Sequence, residues 1–279
     1  MKFVKMQGTG NDFLMVESKG EERDWPGLSR AMCERHFGAG ADGVIVVLPS
    51  QKADVRMRLF NADGSEAEVS GNGVRCLVKY VVERGIAAPR SGRVTIEAIH
   101  DTLEAEVEMD GRAVRSVRLS MGPPRLRPQE IPVDTDVEPP VLRLPIEVDG
   151  QSLSVACVSM GNPHAVLFQD RPVTEFPLER LGPAVEHHPA FPQRVNFGVA
   201  RVLSRDRIEE RVWERGCGET LACGSGGCAA MVTARLHGFV DSRVDIIQPG
   251  GVLTVEWPGE GDVLLSGPAE FVFEGEWPD

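Results

Sequence analysis

The chain has 279 residues, 42% hydrophobic and 26% charged, the composition of a soluble globular protein with room for two cores. Its net charge of −12 argues against nucleic acid or an anionic membrane as partner, because phosphate binding needs a basic face. No apolar run approaches a membrane span, no signal peptide opens the chain, and six cysteines in this length make no disulfide framework, so a cytoplasmic protein is expected.

In chain order, "MQGTGNDF" near the start is followed by "GAGADG" (Gly38–Gly43), which matches a dinucleotide-binding glycine pattern but leads into "VIVVL". That run predicts a strand where a dinucleotide site needs a helix, so the glycines read as a turn. "SGNGVRCLVKYVVERG" (Ser70–Gly85) predicts a helix closed by a C-capping glycine, with Val74, Leu77, Val78, Val81 and Val82 to bury. "RVTIEAI" and "RSVRLSM" alternate like half-buried strands. The Pro-rich stretch from Pro123 to Pro145 reads as a linker. Beyond it lie "VSMGNPHA", then "CGETLACGSGGCAA" (Cys217–Ala230), a second helix to Gly238, and the strands "RVDII" and "DVLLSG" around a "PGEG" turn.

The two halves repeat. Ser70–Gly85 and Cys223–Gly238 each place Gly-polar-Gly after the first residue and end on a glycine fifteen residues later. Glu66 and Glu219 each precede the start by four residues, Asn11 matches Asn162, and "VTIE" recurs as "LTVE", all at offsets near 150 residues. Duplication predicts an α+β protein of two similar domains, each a mostly antiparallel sheet wrapped around one central helix.

The glycine-set cysteine is chemically suggestive. Cys217, Cys223 and Cys228 contain no C-x-x-C and have no accompanying histidine pair, so zinc and disulfide redox are poorly supported, and no metal is expected. Ser225 lacks the G-x-S-x-G of a hydrolase elbow. A helix N-terminus instead offers unpaired N–H groups and partial positive charge to a carboxylate, and it lowers a thiol's pKa toward neutrality. Two such helices, one from each half and facing one cleft, could remove a proton from one face of an α-carbon and deliver one to the other.

Taken together, "GTGNDF", "NADGSEAEVSGNGVRC", "MGNPHAV", "RVNFG" and "ERGCGETLACGSG" make nearly the whole chain resemble the cofactor-independent diaminopimelate epimerases. The resemblance implies a homodimer without cofactor that interconverts LL- and meso-diaminopimelate, a small amino-acid substrate on the route to lysine and peptidoglycan. It implies domains over 1–125 and 126–266, with the tail from about 267 to 279 returning to the first. It implies that Cys223 is the base toward the LL substrate. The amides of Gly71, Asn72, Gly224 and Ser225 would hold the substrate carboxylate. Asn11, Asn61, Asn162, Asn196, Glu214 and Arg215 would hold the rest of the substrate, and His164 and Glu214 would tune the cysteine pair. Asparagine alone is as readily a turn former, His164 a bonded core imidazole and Arg215 a surface ion-pair residue.

One position departs from the family. Its first catalytic cysteine falls on Ser70, as the internal repeat also says, while Cys76 reads as a small buried apolar residue. The family's glutamine near Gly43 is also missing. Ser70 is natural and adequate, or a substitution that traps a complex, or the mark of a shifted reaction. The alternatives are a related amino-acid racemase, a one-base isomerase or dehydratase, or a non-catalytic amino-acid-binding protein.

Overall fold

A computed structural model describes residues 1–67, 70–100 and 102–278. The chain divides into two compact units, Met1–Leu119 with Ser266–Asp279, and Ser120–Leu265. The first unit carries β1 (Lys2–Gly8), β2 (Asn11–Glu17), α1 (Trp25–Cys33), β3 (Gly43–Leu48), β4 (Val55–Asn61), β5 (Glu66–Ala67), α2 (Gly71–Glu83), β6 (Arg93–Glu97), β7 (Thr102–Asp110) and β8 (Ala113–Ser120). The second carries β9 (Leu144–Val148), β10 (Gln151–Ser159), β11 (Pro163–Phe168), α3 (Leu178–Glu186), β12 (Asn196–Ser204), β13 (Arg207–Glu214), β14 (Gly218–Thr220), α4 (Gly224–Leu236), β15 (Arg243–Gln248) and β16 (Gly251–Glu256). β17 (Leu264–Gly267) leads into β18 (Glu270–Glu276), which pairs antiparallel with β1.

The units have the same topology. β2 runs parallel to β3, β3 antiparallel to β4, β4 antiparallel to β5 and parallel to β6, and β6 antiparallel to β7. In the second unit β11 runs parallel to β12, β12 antiparallel to β13, β13 antiparallel to β14 and parallel to β15, and β15 antiparallel to β16. The likeness reaches side chains. Arg58 on β4 grips Glu66 through two hydrogen bonds of 2.7 and 2.9 Å; Arg211 on β13 grips Glu219 at 2.7 and 2.8 Å. This accounts for the paired glutamates four residues ahead of Ser70 and Cys223.

Each unit has two cores. Around α2, Val74, Cys76, Leu77, Val78 and Val81 pack with β-strand residues such as Met6, Ile45, Val94 and Ile96. Around α4, Cys228–Ala234 pack with Val158, Ile208, Val244 and Leu253. α4 is built of small residues and buried on nearly every side, so its sequence lacks a polar stripe. α1 and α3 cover the second core of their own units. Gly85 and Gly238 close the central helices at φ of +70° and +76°, a left-handed conformation that glycine adopts without strain.

The stretch from Pro123 to Pro145 is no linker. It belongs to the second unit, where Ile131, Val133 and Val141 are buried in the core beside α3. Proline fixes extended backbone but does not prevent the residues between from packing. The sequence reading also passed over α1, capped by Asp24, and α3, which carries Pro183 within it.

Candidate functional site

Ser70 and Cys223 are the N-caps of the two central helices, in near-identical conformations: φ −126°, ψ 121° for Ser70 and φ −129°, ψ 111° for Cys223. Each side chain accepts a hydrogen bond from the amide three residues on, Gly73 at 3.2 Å and Gly226 at 3.3 Å. The extended cap aims the side chain back over the helix end. The amides before those capped ones, from Gly71, Asn72, Gly224 and Ser225, have no acceptor within their helices, which is what a carboxylate requires.

In the second unit the remaining candidates fall into neighbouring hydrogen-bonded groups. The Ser225 hydroxyl lies 3.5 Å from Cys223 Sγ and accepts from Asn162 Nδ2 at 3.4 Å. Asn162 Oδ1 lies 3.0 Å from His164 Nε2, which fixes the proton on that nitrogen. His164 stands opposite Asn196 across the parallel β11–β12 pair. Asn196 donates to the Pro163 carbonyl and accepts from the Arg215 amide, each at 2.9 Å. Arg215 donates to the Gln193 carbonyl, and Thr220 donates to Glu214 at 2.6 Å. Burial, with the Arg215 charge nearby, lowers the His164 pKa to about 3, so its ring is neutral.

In the first unit Asn72 Nδ2 donates to Asn11 Oδ1 at 3.4 Å, and Asn11 in turn donates to Asp42. Asn61 is exposed at the end of β4, opposite Gly43, and donates to Ser65 Oγ at 2.9 Å. Asp42, which Asn11 contacts, also reaches the end of β4: its carbonyl accepts from the Ala62 amide at 3.1 Å.

One expectation is overturned. The helix terminus was expected to hold Cys223 as a thiolate near neutral pH. Its side chain is instead buried, and burial, reinforced by the Glu214 carboxylate, pushes the thiol well above its ordinary value against the Ser225 and Gly226 hydrogen bonds. Desolvation outweighs the helix end because the thiolate would lose its water on every side. Cys76 is also fully buried and its thiol is pushed to about 12, in keeping with a packing role.

Three supporting residues went unread in the sequence. Glu186, buried on α3, accepts from Trp213 Nε1 and from the Gly216 amide at 2.9 Å each, tying down the end of β13 with Glu214 and the turn that carries Arg215. Glu210 and Gln248 lie behind Cys223. The available signal was alternation: Ile208, Glu210 and Val212 are the inward positions of β13, so Glu210 is a carboxylate where the pattern demands an apolar residue.

The family model for diaminopimelate epimerase matches residues 3–127 and 156–272. Diaminopimelate epimerases of Pelotomaculum thermopropionicum and Moorella thermoacetica are 47% and 46% identical, each over 100% of this chain and 99% of its relative. Among solved structures, a Bacillus anthracis phenazine biosynthesis protein of the PhzF family superposes with a TM-score of 0.71 at 17% identity, covering 100% of this chain and 99% of that one. A probable proline racemase from Agrobacterium radiobacter gives 0.70 at 15%, covering 99% and 92%. These two likenesses speak to the fold alone. The match of family model and relatives along essentially the full length means that the chain belongs to the diaminopimelate epimerase family.

Proposed function

We propose that this chain inverts one α-carbon of diaminopimelate, interconverting the LL and meso forms, with Cys223 and Ser70 exchanging protons with opposite faces of that carbon. The observation that carries the reading is the matched capping geometry of these two residues, in a chain that shares nearly half its sequence with diaminopimelate epimerases. An α-hydrogen becomes acidic only when the charge left on the carboxylate is stabilised, and the leading amides of Gly71, Asn72, Gly224 and Ser225 are suited to that. Asn11, Asn61, Asn162, Asn196, Glu214 and Arg215 supply amide, carboxylate and guanidinium groups for a substrate with two amino-acid ends. No cofactor enters this scheme.

Cys223 rests as a thiol. In that form it delivers a proton to its own face; to remove one it must first ionise, which the Glu214 carboxylate opposes and the substrate ammonium favours. His164, neutral, acts through Asn162 and Ser225 rather than by charge. Ser70 bears a hydroxyl, a weaker acid than a thiol, so delivery on its face is the slower step. That same hydroxyl supports the second reading, a one-base reaction at the Cys223 face.

The reading extends to a cytoplasmic homodimer serving lysine and peptidoglycan synthesis, carried by family resemblance; among the described residues no helix is long and apolar enough to cross a membrane. Light scattering on the purified protein tests the dimer. Incubating it with LL-diaminopimelate and resolving the isomers chromatographically tests the reaction: meso product supports it, whereas its absence alongside turnover of proline or another amino acid would replace it.

A further inference from the structure

Behind Cys223 lies a buried polar pair. Gln248, at the end of β15, accepts from the Cys223 amide and donates to the Cys223 carbonyl, both at 3.1 Å, so one side chain holds both backbone groups of the cap residue. Its remaining N–H donates to Glu210 Oε2 at 2.7 Å. Glu210 is fully buried, and among the described residues its Oε1 has no hydrogen-bond partner. A Cβ on Gly198 would sit 3.0 Å from that oxygen, so a glycine on β12 makes room for it.

The duplicated half provides a control within the molecule. The registers β13–β15 and β4–β6 put Met57 and Ala98 of the first unit where the second has Glu210 and Gln248. Both are buried apolar residues. The same strands and the same helix start therefore form around an apolar pair, and the polar pair accompanies the cysteine. Burying a carboxyl with an unmet oxygen destabilises relative to such a pair, so fold stability is a poor reason for its presence.

We propose that Glu210 and Gln248 are positioning residues for Cys223: Gln248 locks the backbone of the cap, and Glu210 braces the Gln248 amide through its remaining N–H. Turned over, that amide would present N–H to the Cys223 N–H and oxygen to both its carbonyl and Glu210. The Cys223 N–H and carbonyl exclude that orientation, and Glu210 Oε2, taking the remaining N–H, braces the amide they select. With the amide fixed, the cap stays extended and Sγ stays over the Gly226 amide. The groups facing the thiol are Glu214 and Glu210 from β13, Ser225 and the Gly226 amide from α4, and, through Ser225, Asn162. Burial pushes Glu210 up to about 8, so its charge develops as the solution turns alkaline and then opposes ionisation of Cys223.

The test has two arms; the exchange arm rests on the epimerase reading and the alkylation arm does not. Iodoacetamide labelling of Cys223 is followed against pH by fragment masses, with exposed Cys217 as internal reference. Glu210→Gln should move the Cys223 profile about half a pH unit to lower pH, about threefold in rate at fixed pH. The double variant E210M/Q248A copies the pair found in the first unit and is expected to fold. It should shift the profile likewise yet slow α-deuterium exchange by about tenfold or more, because the thiol ionises more easily but is no longer aimed. If it fails to fold, Glu210→Gln alone decides through labelling. Unmoved profiles in folded variants, or a faster exchange in the double variant, would overturn the proposal. Shifted profiles with no exchange in the parent protein would overturn the epimerase reading and leave the positioning role standing.

Discussion

Ser70 and Cys223 hold equivalent caps, and the difference between them is one atom, oxygen for sulfur. Cys223→Ala should abolish proton exchange from its face, measured as deuterium entering LL-diaminopimelate, while stability falls by no more than the roughly 1 kcal/mol of a lost cap. Ser70→Cys restores a group whose pKa is nearer the working pH and should preserve or raise epimerisation. Because the Cys223 thiol is held above its ordinary value, its service as base should strengthen as pH rises past the usual thiol range, seen as a rising kcat/KM for the LL isomer. Arg215 has one guanidinium N–H committed to the Gln193 carbonyl, and a planar guanidinium suits a substrate carboxylate. Arg215→Met should weaken substrate binding by about 2–3 kcal/mol in calorimetry. These residues were legible because their types and spacing repeat. The state of the thiol was not, because a helix end is visible in sequence while the desolvation that outweighs it comes from strands far along the chain.

The helix start is the element on which this chemistry rests, and its glycines have a steric reason. A Cβ on Gly226 would meet Val212 at 3.0 Å and the Cys223 Sγ at 3.3 Å; on Gly73 it would meet Ile45 at 3.1 Å. Gly226→Ala should therefore cost about 1–3 kcal/mol in denaturant unfolding. It should also slow exchange at Cys223 beyond what that destabilisation explains, because the methyl group presses on the sulfur. At this scale both central helices, their C-capping glycines and the strands "RVTIEAI", "RSVRLSM" and "RVDII" could be read from periodicity and punctuation. α1 and α3 could not. Both are nine residues long, start at or beside prolines, and owe their helicity to packing on their own sheets more than to propensity.

For the molecule as a whole, two buried groups set opposing pH slopes. His164 is neutral in the fold, with a pKa near 3 against an ordinary 6.5, so stability is present above about 6.5 and lost as pH falls toward 3. Glu210 is protonated in the fold, near 8 against 4.5, so its contribution is present below about 4.5 and lost as pH rises through 8. Between 4.5 and 6.5 the slopes cancel; from 6.5 to 8 the Glu210 slope stands alone, at about 1.4 kcal/mol per pH unit for one proton. Thermal unfolding of Glu210→Gln should lose that alkaline decline while keeping the acid one; an unchanged decline would mean Glu210 is ionised in the fold. The two-unit plan was legible at this scale because duplication leaves paired motifs, down to the matched Arg58–Glu66 and Arg211–Glu219 grips. The packing of Ile131, Val133 and Val141 into the second unit's core was not, since proline content signals an absence of helix and says little about exposure.

In the proposed reaction a cysteine and a serine share one inversion. The direct measurement incubates the protein with LL-diaminopimelate in deuterated water and follows deuterium entry at the α-carbon and appearance of the meso isomer together. The account predicts both, with α-deuterated LL substrate forming faster than meso product, and with Ser70→Cys narrowing that gap. Meso product formed without α-deuterium, or a folded Ser70→Cys that epimerises more slowly than its parent, would contradict it.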